Sequence, residues 1–136
     1  MVEERTTDGK RIAQLLSSEV SSREDSGLDA LEVVNADADV EGSADGELAY
    51  EVARESGGQS DVLAEVYVHE DRVRVEFREE ADAAAESAES VGLRVRPKAV
   101  RPPRTLVFVE DGAEVKRATD VFVSVVETAE HAESAE

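Results

Sequence analysis

From Val62 to Phe77, apolar side chains recur at every second position with a single interruption. Val62, Ala64, Val66 and Val68 form one run, Val73, Val75 and Phe77 the next, with His69-Glu70-Asp71-Arg72 between them. A period of two belongs to a strand buried on one face, because successive side chains point to opposite faces. Two such runs joined by a short polar turn predict an antiparallel hairpin. With Glu70-Asp71 as a two-residue loop, Val68 faces Val73, Val66 faces Val75 and Ala64 faces Phe77. That register keeps every apolar side chain on one face, and a slip of one residue would turn the whole set toward water. Upstream, Leu48, Tyr50 and Val52 repeat the pattern, and Ser56-Gly57-Gly58 turns the chain before the next strand. The result is an antiparallel meander. Arg72, Arg74, Glu76 and Arg78 fall on the opposite face, where solvated charge is expected.

The flanks read as helix. Ile12, Leu15, Leu16 and Val20 lie on one face at helical spacing, with Thr7 or Asp8 able to cap a helix that ends near Ser21. Ser21 to Gly27 is a polar break, and Leu28 to Ala36 reads as a strand leading into an acidic loop that ends at Gly46. Glu79 to Val91 is alanine-rich and predicts a second helix closed by Gly92. Leu93 to Arg96 and Thr105 to Glu110 read as short strands, the first at a sheet edge because Pro97 cannot donate to a neighbour. Asp111 and Glu114 stand at capping-box spacing. Val115, Ala118, Phe122, Val125, Val126 and Ala129 then share a helical face. Val121 to Val126 has a strand-former's composition, but cap and period agree on helix, with a frayed tail from His131 to Glu136. The expected fold class is α+β: a single domain over residues 1–136, an antiparallel β-meander with three helices packed on one face.

Charge narrows the function. The 136 residues hold 33 acids against 15 bases, a net charge of -18. Twelve of the bases are arginine and only Lys10, Lys98 and Lys116 are lysine. Self-repulsion of this size destabilises a compact chain at low ionic strength and is screened by salt. Hydrophobic residues at 40% in ordered alternation argue against disorder. The chain is therefore expected to fold best in concentrated salt. Absence of cysteine excludes disulfides, cysteine-ligated metals and cysteine nucleophiles. No apolar run reaches the roughly 20 residues of a membrane span, and Met1-Val2-Glu3-Glu4-Arg5 is unlike a secretory signal. A cytoplasmic protein without membrane contact is expected.

Three groupings could carry chemistry. Asp37, Asp39, Glu41, Asp45 and Glu47 crowd one loop, with Gly42 where a calcium loop needs its sharp turn. Leu48 stands at the twelfth position, where a bidentate glutamate is required, so a solvated loop is the expectation and these five remain weak metal candidates. Asp61, Glu76 and Arg78 sketch a two-carboxylate metal site, but arginine cannot deprotonate as the accompanying group. His69-Glu70-Asp71 has ligand residue types at what reads as a hairpin tip. No cofactor is expected.

The strongest anomaly is a basic island. Ser90 to Val109 contains no acid but holds Arg94, Arg96, Lys98, Arg101, Arg104 and all three prolines. It could be an arm for nucleic acid, or its cations could meet carboxylates of the same chain, of a second copy or of a protein partner. Along the sequence no aromatic side chains interleave with the bases to supply stacking that survives salt. The protein-contact reading is therefore preferred.

The segments Arg5-Thr6-Thr7-Asp8-Gly9-Lys10-Arg11-Ile12-Ala13-Gln14-Leu15-Leu16 and Asp111-Gly112-Ala113-Glu114-Val115-Lys116-Arg117-Ala118, with the acid-rich, lysine-poor composition, resemble a family of small acidic haloarchaeal proteins of unknown function. The resemblance implies a habitat and a length, and no activity. The expected function is a small non-enzymatic protein-interaction or self-association module. Nucleic-acid binding through residues 94–104 is the first alternative and a metal-dependent carboxylate enzyme the second.

Overall fold

The computed structural model describes residues 8–22 and 28–134. The proposed Thr7 cap, the Met1–Arg5 segment and most of the Ser21–Gly27 break lie outside the described residues. Helix α1 spans Gly9–Ser22. Asp8 caps it, its Oδ1 accepting from the Lys10 amide at 3.0 Å. Six strands follow: β1 Leu31–Val34, β2 Glu47–Ser56, β3 Gln59–Val68, β4 Val73–Phe77, β5 Arg94–Lys98 and β6 Arg104–Val109. Helix α2, Ala81–Ser90, links β4 to β5, and α3, Val115–Ser134, closes the fold. The strand order is β1-β2-β3-β4-β6-β5, and every neighbouring pair is antiparallel. This is the expected α+β architecture.

The hairpin register is as the alternation requires: Val68 opposite Val73, Val66 opposite Val75, Ala64 opposite Phe77. The β2–β3 turn is Gly57-Gly58, both at positive φ (59° and 81°). Glycine meets that demand without a Cβ penalty, and a two-residue turn of this hand matches strand twist. Helix α3 begins with a 3₁₀ turn at Gly112–Glu114, where Asp111 accepts from the Glu114 amide at 3.1 Å. The Glu114 carboxylate accepts from the Glu110 amide at 2.8 Å. Val121, Phe122, Val125 and Val126 are all fully buried, so burial along one helical face overrides their β-propensity. The helix continues to Ser134, beyond His131 where fraying was expected.

Other sequence expectations need correction too. The strand expected over Leu93 to Arg96 starts at Arg94 and runs on through Pro97 to Lys98. Leu28–Ala30 is a 3₁₀ turn, and the strand starts only at Leu31. Helix α2 starts at Ala81, after Glu80 in the left-handed region. A register shift between Leu48 and Tyr50 makes Ala49 an extra residue, so Leu48 leaves the face of Tyr50 and is 40% exposed. A second shift, opposite Val52 and Ala53, makes Leu63 the extra residue, and Leu63 is fully buried in place of Val62. One added residue reverses the facing of everything beyond it.

The core lies between the sheet and the helices. Phe77 and Phe122 meet with ring centroids 4.9 Å apart. Ile12, Leu16, Val20, Val66, Val75 and Val107 pack in the same cluster. Ala84 and Ala88 are fully buried on α2, and their small side chains let that helix sit close to β6. The start of α1 is held against the β3–β4 turn, where the Gly9 amide donates to the Glu70 carbonyl at 3.1 Å. A Cβ on Gly9 would meet the His69 carbonyl, and would lie 2.8 Å from the Arg72 carbonyl. Because these are backbone atoms, relief means moving the helix or the turn. Gly9→Ala is therefore expected to destabilise by about 1–3 kcal/mol, measured by chemical denaturation. A neutral result would show that α1 shifts freely on the turn.

Candidate functional site

Among the described residues the three helices cover one face of the sheet and no helix covers the other, which is open apart from the corner where the Ala44 and Asp45 carbonyls meet His69 and Arg74. Pairing register fixes what that open face carries, since directly paired residues share a face. Leu48, Tyr67, Arg74, Phe108 and Arg94 follow one another across β2, β3, β4, β6 and β5. A parallel row runs Val34, Glu51, Glu65, Glu76, Leu106 and Arg96 across all six strands. Lys98 and Arg104 pair at the end of β5 and β6.

Glu76 is the centre of this surface. Sequence reading placed it on the solvated face, yet it is 2% exposed. Its Oε2 accepts from Arg74 Nε at 2.9 Å, and its Oε1 accepts from Arg104 Nη1 at 3.0 Å and Lys98 Nζ at 3.2 Å. Burial pushes the Glu76 carboxyl up, but hydrogen bonds and charge from Arg104, Lys98 and Arg74 outweigh it and hold the group below its ordinary value. Arg104 also reaches Glu65 at 3.0 Å, and Arg78 approaches Glu65 at 3.5 Å. The Arg74 guanidinium carbon lies 4.3 Å over the Tyr67 ring. The Tyr67 hydroxyl donates to Glu65 at 2.8 Å. Burial, then that hydrogen bond, pushes the Tyr67 phenol up to about 12.

The basic island thus divides. Lys98 and Arg104 close on Glu76, and Arg94 approaches Glu110 at 3.4 Å beside Arg72 at 3.0 Å. Arg96 and Arg101 are exposed, and neither stands in an ion pair among the described residues. Beside Arg94, Arg96 and Phe108 the surface dips into a groove of about 520 Å³ bounded by His69, Glu70, Asp71 and Arg72. Glu70 and Asp71 offset two of its three arginines, so it is not a strongly cationic pocket.

The other groupings do not assemble. His69 uses both ring nitrogens: Nδ1–H donates to the Ala44 carbonyl at 3.0 Å and Nε2 accepts from Arg74 at 2.9 Å, roles dictated by partners that only accept or only donate. Asp37 spends Oδ1 on the Asp39 amide at 3.0 Å, a turn of its own backbone. Glu41 faces Lys10 at 3.4 Å, and Glu47 accepts from Ser43 at 3.4 Å. Asp45 and Glu47 are exposed. Opposite Glu76 stands Glu65, with Asp61 four residues away along β3. Among the described residues no group of three or more histidine, aspartate or glutamate side chains is arranged to hold a metal.

Sequence reasoning missed the interleaving of aromatics with bases. Tyr67 comes from a strand far from the island, and Phe108, although within it, follows the last of its bases in sequence, so only the register sets Phe108 between Arg74 and Arg94. Among the described residues no helix is long and apolar enough to cross a membrane. No curated protein and no solved structure matches the chain. A family of unknown function does match, over residues 1–136, and the chain belongs to it: DUF7993.

Proposed function

We propose that the protein is a non-enzymatic interaction module whose working surface is the open face of its sheet and whose partner is a protein. The observation that carries this reading is the set of apolar side chains left outside the core on that face. Val34, Leu106 and Phe108 are half-buried and Leu48 is exposed, yet none belongs to the cluster beneath the helices. Apolar side chains set among satisfied ion pairs suit a protein–protein contact. The scattering of Asp37, Asp39, Glu41, Asp45 and Glu47, and the saturation of Glu76 and His69 by their neighbours, support a binding role over a catalytic one. The acid-rich, lysine-poor composition supports a cytoplasmic protein adapted to concentrated salt.

One observation favours nucleic acid as a second reading, the row in which Tyr67 and Phe108 alternate with Arg74 and Arg94. Against it, Arg74 already covers the Tyr67 ring and Arg94 already faces Glu110.

A photo-reactive side chain at Leu48 or Arg96, irradiated in extract of the native cells, is expected to yield a discrete adduct. The same probe at Lys116 or Asp120, exposed on α3, is expected to yield none. Adducts from α3 alone, or from neither surface, would sink the reading.

A further inference from the structure

The open face is electrically divided along its width. On β1 and β2 it carries Glu32 and Glu51, placed there by pairing of Glu32 with Ala53 and of Glu51 with Glu65. On β5 it carries Arg96, which stands in no ion pair among the described residues, flanked by Arg94 and Lys98, which face Glu110 and Glu76 and are still 66% and 43% exposed. The strand order β1-β2-β3-β4-β6-β5 has its midpoint between β3 and β4. A two-fold axis parallel to the strands at that midpoint lays β5 of one copy over β1 of another, and β6 over β2. The basic end of each face then meets the acidic end of the other, twice by symmetry. Phe108 and Leu106 of one copy lie over the Leu48 and Glu51 strand of the other, at the roughly 10 Å separation of stacked sheets.

Resting on the reading of this face as a protein contact, we propose that its occupant is a second copy of this chain, stacked face to face with β5 over β1. Charge selects this occupant and this orientation. A two-fold axis running across the strands would set arginine on arginine and glutamate on glutamate, whereas the axis along the strands pairs them. The alternative of an extended peptide added beside β5 is poor, because Pro97 sits in that edge strand and offers no donor. Arg96 is an exposed cation on this face with no ion pair among the described residues, and the second copy supplies its acid. Five strand steps of about 4.8 Å give a face about 24 Å wide. That is a small interface, so assembly is expected at micromolar and not at nanomolar concentration.

The test is a charge exchange read by sedimentation velocity, in a buffer where circular dichroism shows the chain folded. Wild type is expected to shift from monomer to dimer across a micromolar dilution series. Arg94→Glu/Arg96→Glu, and separately Glu32→Arg/Glu51→Arg, are each expected to weaken the dimer by about tenfold or more. An equimolar mixture of the two variants is expected to restore it, since opposite charges then face each other across both halves. Leu48→Arg, at an exposed site, is the check that needs no charge reversal: it is expected to lose the dimer and keep the melting curve that wild type shows at a dilution where it is monomeric. Wild type that stays monomeric, variants that still dimerise, or a mixture that does not recover would each overturn the two-fold stacking. A monomer that binds a single-stranded RNA oligonucleotide through Arg96 would overturn it too, and with it the protein reading. A photo-adduct from Leu48 of a mass other than twice the monomer overturns only the second copy.

Discussion

Phe77→Ala is expected to cost about 3–5 kcal/mol of folding stability, enough to unfold a large fraction of a marginally stable domain. Phe77 is 1% exposed at the end of β4 and its ring meets Phe122 of α3 at 4.9 Å. Its cross-strand neighbours are Ala64 and Thr105. Neither can expand into the space left by a ring. The Thr105 hydroxyl is also tied to the Ala81 carbonyl at 2.6 Å, so the start of α2 is held in place and cannot close over the gap. A core built on valine and alanine has few side chains able to swing into a void, which places the loss at the cavity-dominated end. Urea denaturation of the variant checks it. A change below about 1 kcal/mol would mean that α3 collapses onto the sheet after all, because a void that fills costs far less than one that stays open.

How much of this was legible in the residues depends on the length scale of the cause. The β3–β4 register follows from alternation alone, because a one-residue slip would expose every valine of the hairpin. The β2–β3 turn follows from Gly57-Gly58, and α3 from its cap and its period. The bulges at Ala49 and Leu63 leave no mark in composition: an extra alanine or leucine inside an apolar run reads as more of the run. Leu48 was therefore assigned to the wrong face, and with it went a main component of the surface that matters.

The site was hidden for a different reason. Alternation reports which face a residue occupies, and says nothing of whether that face is covered. The island, its lack of acids and its edge position were all visible along the chain. Its partners were not, since Glu65 and Glu76 stand far from Lys98 and Arg104 in sequence. Strand β6 returns between β4 and β5, and only that crossover brings Lys98 and Arg104 over Glu76. A local reading assigns Glu76 to solvent, whereas long side chains from two other strands roof it over.

That roof makes Glu76→Gln the second large expected effect. The substitution keeps the size of the side chain and removes its charge, leaving Arg74, Arg104 and Lys98 to face one another. Removing one member of a buried ion pair costs about 3–5 kcal/mol. Lys98 is 43% exposed and Arg104 24%, so water relieves part of the repulsion, and about 3 kcal/mol is expected at neutral pH. Acid identifies the cause. The folded-state carboxyl is held below its unfolded value of 4.5. Its contribution is therefore fully present above that value and is lost as pH falls through the depressed folded-state value. Urea midpoints of wild type and variant should thus differ most at neutral pH, start to approach each other below about pH 4.5, and meet once Glu76 is protonated in the folded state. A gap that stays constant through acidification would assign the loss to altered packing. A variant as stable as wild type at neutral pH would mean that the three cations disperse into solvent at little cost, and that Glu76 does not organise the open face.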